Sequence, residues 1–151
     1  MPKSIEELRL ILSEIEPDNS MYQQIDISDI SNLRSLLSED ESWLAARAVH
    51  ALARLDSTTA RQAVVNASLD RRPEIRIAAA VASEFCPVAM ADEILGSLLA
   101  DVDTGVRKFA IQTTSSHNGE LVKRRLNEIA NTDDNVMLRN LAIEKGARLS
   151  P

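Results

Sequence analysis

The stretch DRRPEIRIAAA, Asp70 to Ala80, returns 31 residues later as DVDTGVRKFA, Asp101 to Ala110. Each copy runs from an aspartate over five positions to an aliphatic residue and over four more to an alanine: Asp70, Ile75 and Ala79, then Asp101, Val106 and Ala110. Looser copies flank them, EDESWLAARA with Glu39, Leu44 and Ala48, and DDNVMLRNLA with Asp133, Leu138 and Ala142. Residues four apart share one face of a helix, so each copy reads as a polar turn followed by a helix with a buried stripe. A fixed period of this length is the mark of stacked helix pairs, none of which buries its apolar face alone.

The helix preceding each copy keeps the same period. Leu33, Val64, Leu95 and Leu126 form one row, and Leu36, Ala67, Leu98 and Ile129 a second row three positions on. Only the last second-helix interval is 32, which places the extra residue in the turn TDDN. Eight helices are predicted near 29–38, 42–55, 57–69, 73–85, 88–100, 104–116, 119–131 and 135–148. Pro73 and Pro87 suit helix starts, and Asn118 with Gly119 a turn. Upstream, Ser4 and Glu7 form a capping box before Ile5, Leu8, Ile11, Leu12 and Ile15, predicting a helix over about 4–15. Residues 17–27 lack helical period and are expected to connect, extended around Ile25 and Ile27, with Ser28 or Asp29 capping the next helix. The fold expected is a single all-α domain over 1–151. It is a right-handed α-solenoid of four helix pairs (29–151) behind an N-terminal capping helix and connector (4–28).

Composition narrows the function. A net charge of -6 arises wholly in residues 1–40, which carry nine acidic and three basic side chains, while residues 41–151 balance. A sequence pI near 4.9 disfavours nucleic acid, whose phosphates need a basic face. Cys86 is the only cysteine, no stretch reaches membrane-spanning length, and the N-terminal residues do not read as a signal peptide, so the expectation is a cytoplasmic protein that does not engage membranes. The acidic start is read as a solvated outer face, a docking site for a basic partner being the alternative.

No catalytic pattern stands out. His50 and His117 lie 67 residues apart without ligand-spaced neighbours, and the four glycines are dispersed. Cys86 is expected to be a structural thiol, while Asp92 with Glu93 and Asp133 with Asp134 are expected to cap helices. No metal or cofactor is expected. A solenoid of helix pairs lines its concave side with the second helices. Positions two and six after each aliphatic anchor should face that way: Ala46 and His50, Ile77 and Val81, Lys108 and Gln112, Asn140 and Glu144. IRIAAAVA is apolar nearly all round, so Ile77 and Val81 are either covered by the chain itself or form a docking patch flanked by His50, Lys108 and Gln112. Trp43, one residue before the Leu44 anchor, is read as packing over the preceding helix or the connector.

These repeats resemble the HEAT family in its short bacterial form, over about residues 29–149. The resemblance implies a ladder in which turn aspartates Asp70, Asp101 and Asp133 bond Arg76, Arg107 and Arg139 between layers. In the first pair Glu39 replaces the aspartate and Ala45 the arginine. With each arginine reaching back to the layer before it, Arg76 would address Glu39. The resemblance further implies a non-enzymatic module binding a protein partner on its concave surface. An immunity protein or antitoxin using the acidic region against a basic toxin is a second possibility, and a bilin lyase-like or chaperone subunit a third. HEAT-like DNA glycosylases are less similar, since this chain lacks their basic, aromatic concave surface.

Overall fold

The computed structural model describes residues 1–14 and 17–149. Among the described residues ten α-helices follow one another, and there is no strand. They are α1 (Ile5–Leu12), α2 (Asn19–Gln23), α3 (Ile30–Leu36), α4 (Ser42–Ala53), α5 (Thr58–Ala67), α6 (Pro73–Ala82), α7 (Val88–Leu98), α8 (Thr104–Thr113), α9 (Glu120–Thr132) and α10 (Val136–Leu149). Successive second helices α4, α6, α8 and α10 pack side by side, and α3, α5, α7 and α9 form the parallel outer row. The chain is an all-helical solenoid of four pairs, with α1 covering the open face of α3 and α4.

All four 31-residue rows are buried. Leu44, Ile75 and Val106 are sealed from solvent and Leu138 almost so, as are the alanines at 48, 79, 110 and 142 beside them. An alanine there lets neighbouring second helices approach to a distance that a larger side chain would prevent. The nearly all-apolar α6 sits between α4 and α8 and also touches α5 and α7. Ile75, Ala78, Ala79, Ala80 and Ala82 are consumed by this central position, which accounts for a helix without a polar face.

The layers are joined by arginine in the turns, and the direction differs from the expected one. Arg76 reaches forward: its Nε and Nη2 donate to Asp101 at 2.8 and 3.0 Å, while Nη1 donates to the Asp70 carbonyl of its own turn at 2.9 Å. Arg107 repeats this with Asp133, at 2.9 and 3.2 Å, and with the Asp101 carbonyl. Arg139 donates to the Asp133 carbonyl and pairs with no carboxylate among the described residues. Arg76 therefore does not address Glu39. A forward ladder also changes the meaning of Ala45, since an arginine there would have paired with Asp70. That aspartate is taken instead by Arg72, which donates to it from Nε and Nη2 and spans back to the Leu37 and Glu39 carbonyls.

Three local expectations are corrected. Residues 17–27 are not a connector without helix: Asp26, between Ile25 and Ile27, is extended as expected, but Asp18 caps α2 by accepting from Ser20 and Met21, and Met21 and Ile25, one helical turn apart, are buried. Asp26, not Ser28, caps the following 3₁₀ turn, and Asp29 turns away from α3 to accept from Lys3 and from the Asp26 amide. The extra residue before α10 is not looped out, because α9 continues to Thr132, three positions beyond the repeat equivalent of Leu98, and the turn shortens. The capping box at Ser4 and Glu7 starts α1 as expected, but the helix stops at Leu12, and Ile15 lies outside the described residues.

Candidate functional site

Four side chains of α4 and its C-terminal cap, Trp43, Arg47, His50 and Arg54, follow one another at intervals of four, three and four residues. That spacing keeps them on a single helix face. They line a cavity of about 520 Å³, closed on one side by Pro17, Asp18, Asn19 and Tyr22 and on the other by Val81, Glu84 and Phe85. Three of the chain's four aromatic residues thus converge on one groove.

Arg54 is the centre of it. Its guanidinium lies 3.9 Å from the centroid of the Tyr22 ring and 4.0 Å from that of Phe85, stacked between them. Such stacking satisfies the planar cation's faces and leaves its edge for hydrogen bonds. One edge donor, Nη1, reaches the His50 carbonyl at 3.1 Å. Arg47 sits 5.6 Å from the Trp43 ring and donates from Nη1 to the Leu12 and Glu14 carbonyls, at 2.6 and 2.5 Å, tying the end of α1 to α4. Among the described residues neither arginine is ion-paired.

Burial pulls the His50 imidazole down to about 4, and the Arg54 charge adds to the effect, so this ring is neutral near neutral pH. Burial raises the Tyr22 phenol, with Arg54 and Arg47 opposing it. Burial lowers the Arg54 guanidinium, against the attraction of Tyr22 and Glu84. Half-buried Cys86 is raised by burial, against Arg61, which keeps it a thiol.

The sequence-predicted concave residues separate into two groups. His50 and Val81 line the groove. Ile77 does not; it is half-buried against the core, near Gly105 at the start of α8. Lys108, Gln112, Asn140 and Glu144 are exposed on α8 and α10. Trp43 departs from its expected packing role, being 46% exposed with Arg47 over its ring. Arg47, Arg54, Tyr22 and Phe85 were not anticipated. The helical spacing of 43, 47, 50 and 54 was the available signal, and nothing local to Tyr22 or Phe85 foretells where the chain carries them.

Other polar clusters are structural. Asp92 lies inside α7, not at its start, and accepts from the Asn118 side chain and the Gly119 amide, so it caps α9 across the layer boundary. A Cβ at Gly119 would stand 2.9 Å from Asp92 Oδ2, so a larger residue there would displace this carboxylate. Asp133 accepts from the Asn135 amide beside its ladder pair. Among the described residues no three His, Cys, Asp or Glu side chains gather as a metal site, and no helix is long and apolar enough to cross a membrane. Clefts between α3 and α5 and between α9 and α10, of about 490 and 450 Å³, contain no aromatic side chain.

No family model matches the sequence, and no curated protein matches it. Solved structures do. A computationally designed armadillo repeat protein for modular peptide recognition superposes with a TM-score of 0.63 at 16% identity, covering 97% of this chain and 74% of its own. A designed armadillo repeat protein in complex with the peptide (KR)4 gives 0.60 at 15%, with the same coverage, and an engineered protein gives 0.56 at 19%, covering 97% and 79%. At this identity the likeness establishes the fold: an armadillo-like helical repeat solenoid.

Proposed function

We propose that this chain is a HEAT-type binding module that holds a peptide segment of a protein partner along its concave side and performs no chemistry of its own. The observation that carries this reading is the groove on α4, where half-exposed aromatic rings and unpaired guanidinium edges face one cavity beside the second-helix row. Rigid aromatic and arginine side chains are the usual anchors of protein recognition. Further contacts would come from His50, Ile77, Val81, Lys108, Gln112, Asn140 and Glu144. Similar solenoids designed for peptide recognition support the same use of the fold. The acidic alternative is less favoured, because Glu7, Asp18, Asp26 and Asp29 already serve caps and internal hydrogen bonds. A cytoplasmic setting is part of the proposal.

Selection of binders from a random peptide library tests it. Enriched peptides should lose affinity when Trp43→Ala or Lys108→Glu is introduced, and keep it with Asn66→Glu on the exposed face of α5. Peptides insensitive to every concave substitution would count against the reading.

A further inference from the structure

The groove's electrostatics narrow the partner. Arg9, Arg61, Arg72, Arg76, Arg107 and Arg125 are each ion-paired within the chain. Among the described residues Arg47 and Arg54 are not, nor are Arg34, Arg71, Arg124, Arg139 and Arg148, but Arg47 and Arg54 are the two that share the aromatic-lined cavity. Each retains a free edge: Arg47 uses only Nη1, on two carbonyls, and Arg54 only Nη1, on one, so Nε and Nη2 of both stay available as a fork for a carboxylate. Of the two acids on the rim, Asp18 is occupied in capping α2. Among the described residues Glu84 has no hydrogen-bond partner and makes no ion pair with Arg54, which it attracts only at a distance.

Geometry adds a spacing. Seven residues of helix separate the two arginines by roughly 10 Å along the axis at almost the same angle. A peptide in the polyproline II conformation repeats its faces every third residue, roughly 9 Å on. Two carboxylates three positions apart therefore match the spacing of the two arginine positions along α4. Beside them Trp43, at 46% exposure, and Phe85, at 42%, offer apolar platforms of the kind on which proline-rich segments dock.

We propose that the groove between α2, α4 and the turn after α6 receives an extended segment bearing acidic residues at positions i and i+3, with proline or aliphatic residues between them. This rests on the concave-binding reading above and assigns its chemistry: a local cationic and aromatic site on an acidic chain.

The test uses the full chain and the probe acetyl-Pro-Glu-Pro-Pro-Glu-Pro-amide, followed by fluorescence of Trp43, the only tryptophan, and by calorimetry at low ionic strength. Saturable binding with Kd on the order of 100 µM is expected, weakened about tenfold when both glutamates are glutamines and weakened again by salt. Arg54→Gln should weaken the glutamate peptide about tenfold and leave the glutamine peptide unchanged, while Glu84→Gln, a rim substitution that leaves the fold intact, should tighten the glutamate peptide. Equal affinity for the two peptides, silence up to about 1 mM, or weaker binding in Glu84→Gln would overturn the proposal. If the acidic probe fails while library-selected peptides still respond to Lys108→Glu, the acidic assignment falls and the concave-binding reading stands.

Discussion

Arg76 and Arg107 each close a two-pronged pair with the aspartate of the following layer, whereas Arg47 and Arg54, on the groove face of α4, meet no carboxylate among the described residues. The ladder pairs are nearly withdrawn from water, with side-chain exposures of 14% and 10% for Arg76 and Asp101 and of 15% and 6% for Arg107 and Asp133. A charge compensated in place and shielded from solvent holds two layers in register. A charge that is stacked on aromatic rings and left unpaired is positioned yet still able to bind. The same residue type therefore serves framework on one side of the molecule and recognition on the other, and the neighbours decide which.

The most forceful way to break that comparison is to remove one ladder partner. Arg107→Ala leaves Asp133 shielded and unpaired, along with the Asp101 carbonyl that Arg107 serves. Loss of one member of such a pair is expected to cost about 3 kcal/mol. Asp133→Ala should cost a similar amount, and the double substitution should cost less than the two added together, because the partners share one interaction. Equilibrium denaturation by urea measures all three, and an unchanged Arg107→Ala would remove the ladder from the account of stability.

Acid distinguishes the two regions next. Burial, with Arg54 adding to it, depresses His50 to about 4 from an ordinary 6.5, so the unfolded chain binds this proton first. The stability contributed is complete above pH 6.5 and is lost as pH falls from there toward about 4, amounting to about 2 kcal/mol between pH 7.5 and pH 5. Asp101 behaves otherwise: burial pushes its carboxyl up, but the bonds from Arg76 and the Asp103 amide outweigh that and hold it below 3.8. Its contribution is present above that value and is lost only as pH falls below it. His50→Gln should flatten the upper window and leave the lower one untouched.

How far the sequence discloses each region follows from the same contrast. The framework repeats, so Leu44, Ile75, Val106 and Leu138 declare one another, and every residue of those rows is buried. Ladder membership came from the family resemblance and holds for Arg76, Asp101, Arg107 and Asp133 but not for Asp70, whose carboxylate Arg72 takes, or for Arg139; its direction was not legible, since a period shows equivalent positions without showing which layer a flexible side chain leans toward. The groove does not repeat. Trp43, Arg47 and His50 have no counterparts in later layers and Arg54 only Arg148 in the last, so the set is not repeated, and Tyr22 and Phe85 reach it from segments whose courses depend on Asp18 capping α2 and on the 3₁₀ turn after α6. The connector read as extended because its buried residues, Met21 and Ile25, are too few to show a period.

Asp92 tests an intermediate kind of joint, neither ladder nor groove. It is a carboxylate that accepts from the amide of Gly119, the N-cap residue of α9, and so fixes that helix start from the neighbouring layer. Asp92→Ala should cost about 1 kcal/mol, the ordinary value of a helix cap, and Asp92→Asn should recover part of it by still accepting from the Gly119 amide. Thermal unfolding of both variants decides whether the cross-layer cap acts as a true cap.

The smallest effect on stability belongs to Arg54. Replacing it with methionine removes two cation–π contacts, each worth about 0.5–1 kcal/mol, but retains an unbranched apolar side chain between the Tyr22 and Phe85 rings and relieves the burial of a charge. The net change should stay within about 1 kcal/mol, well short of the Arg107→Ala loss. His50 supplies a readout that packing alone would not move. Because the Arg54 charge is the second cause of its depression, Arg54→Met should raise the His50 pKa from about 4 while the burial part persists, which a proton NMR titration of the imidazole would follow. A His50 that titrates unchanged would mean that Arg54 directs its charge away from the groove, toward solvent, and the contrast between paired and available arginines would then fail on the groove side.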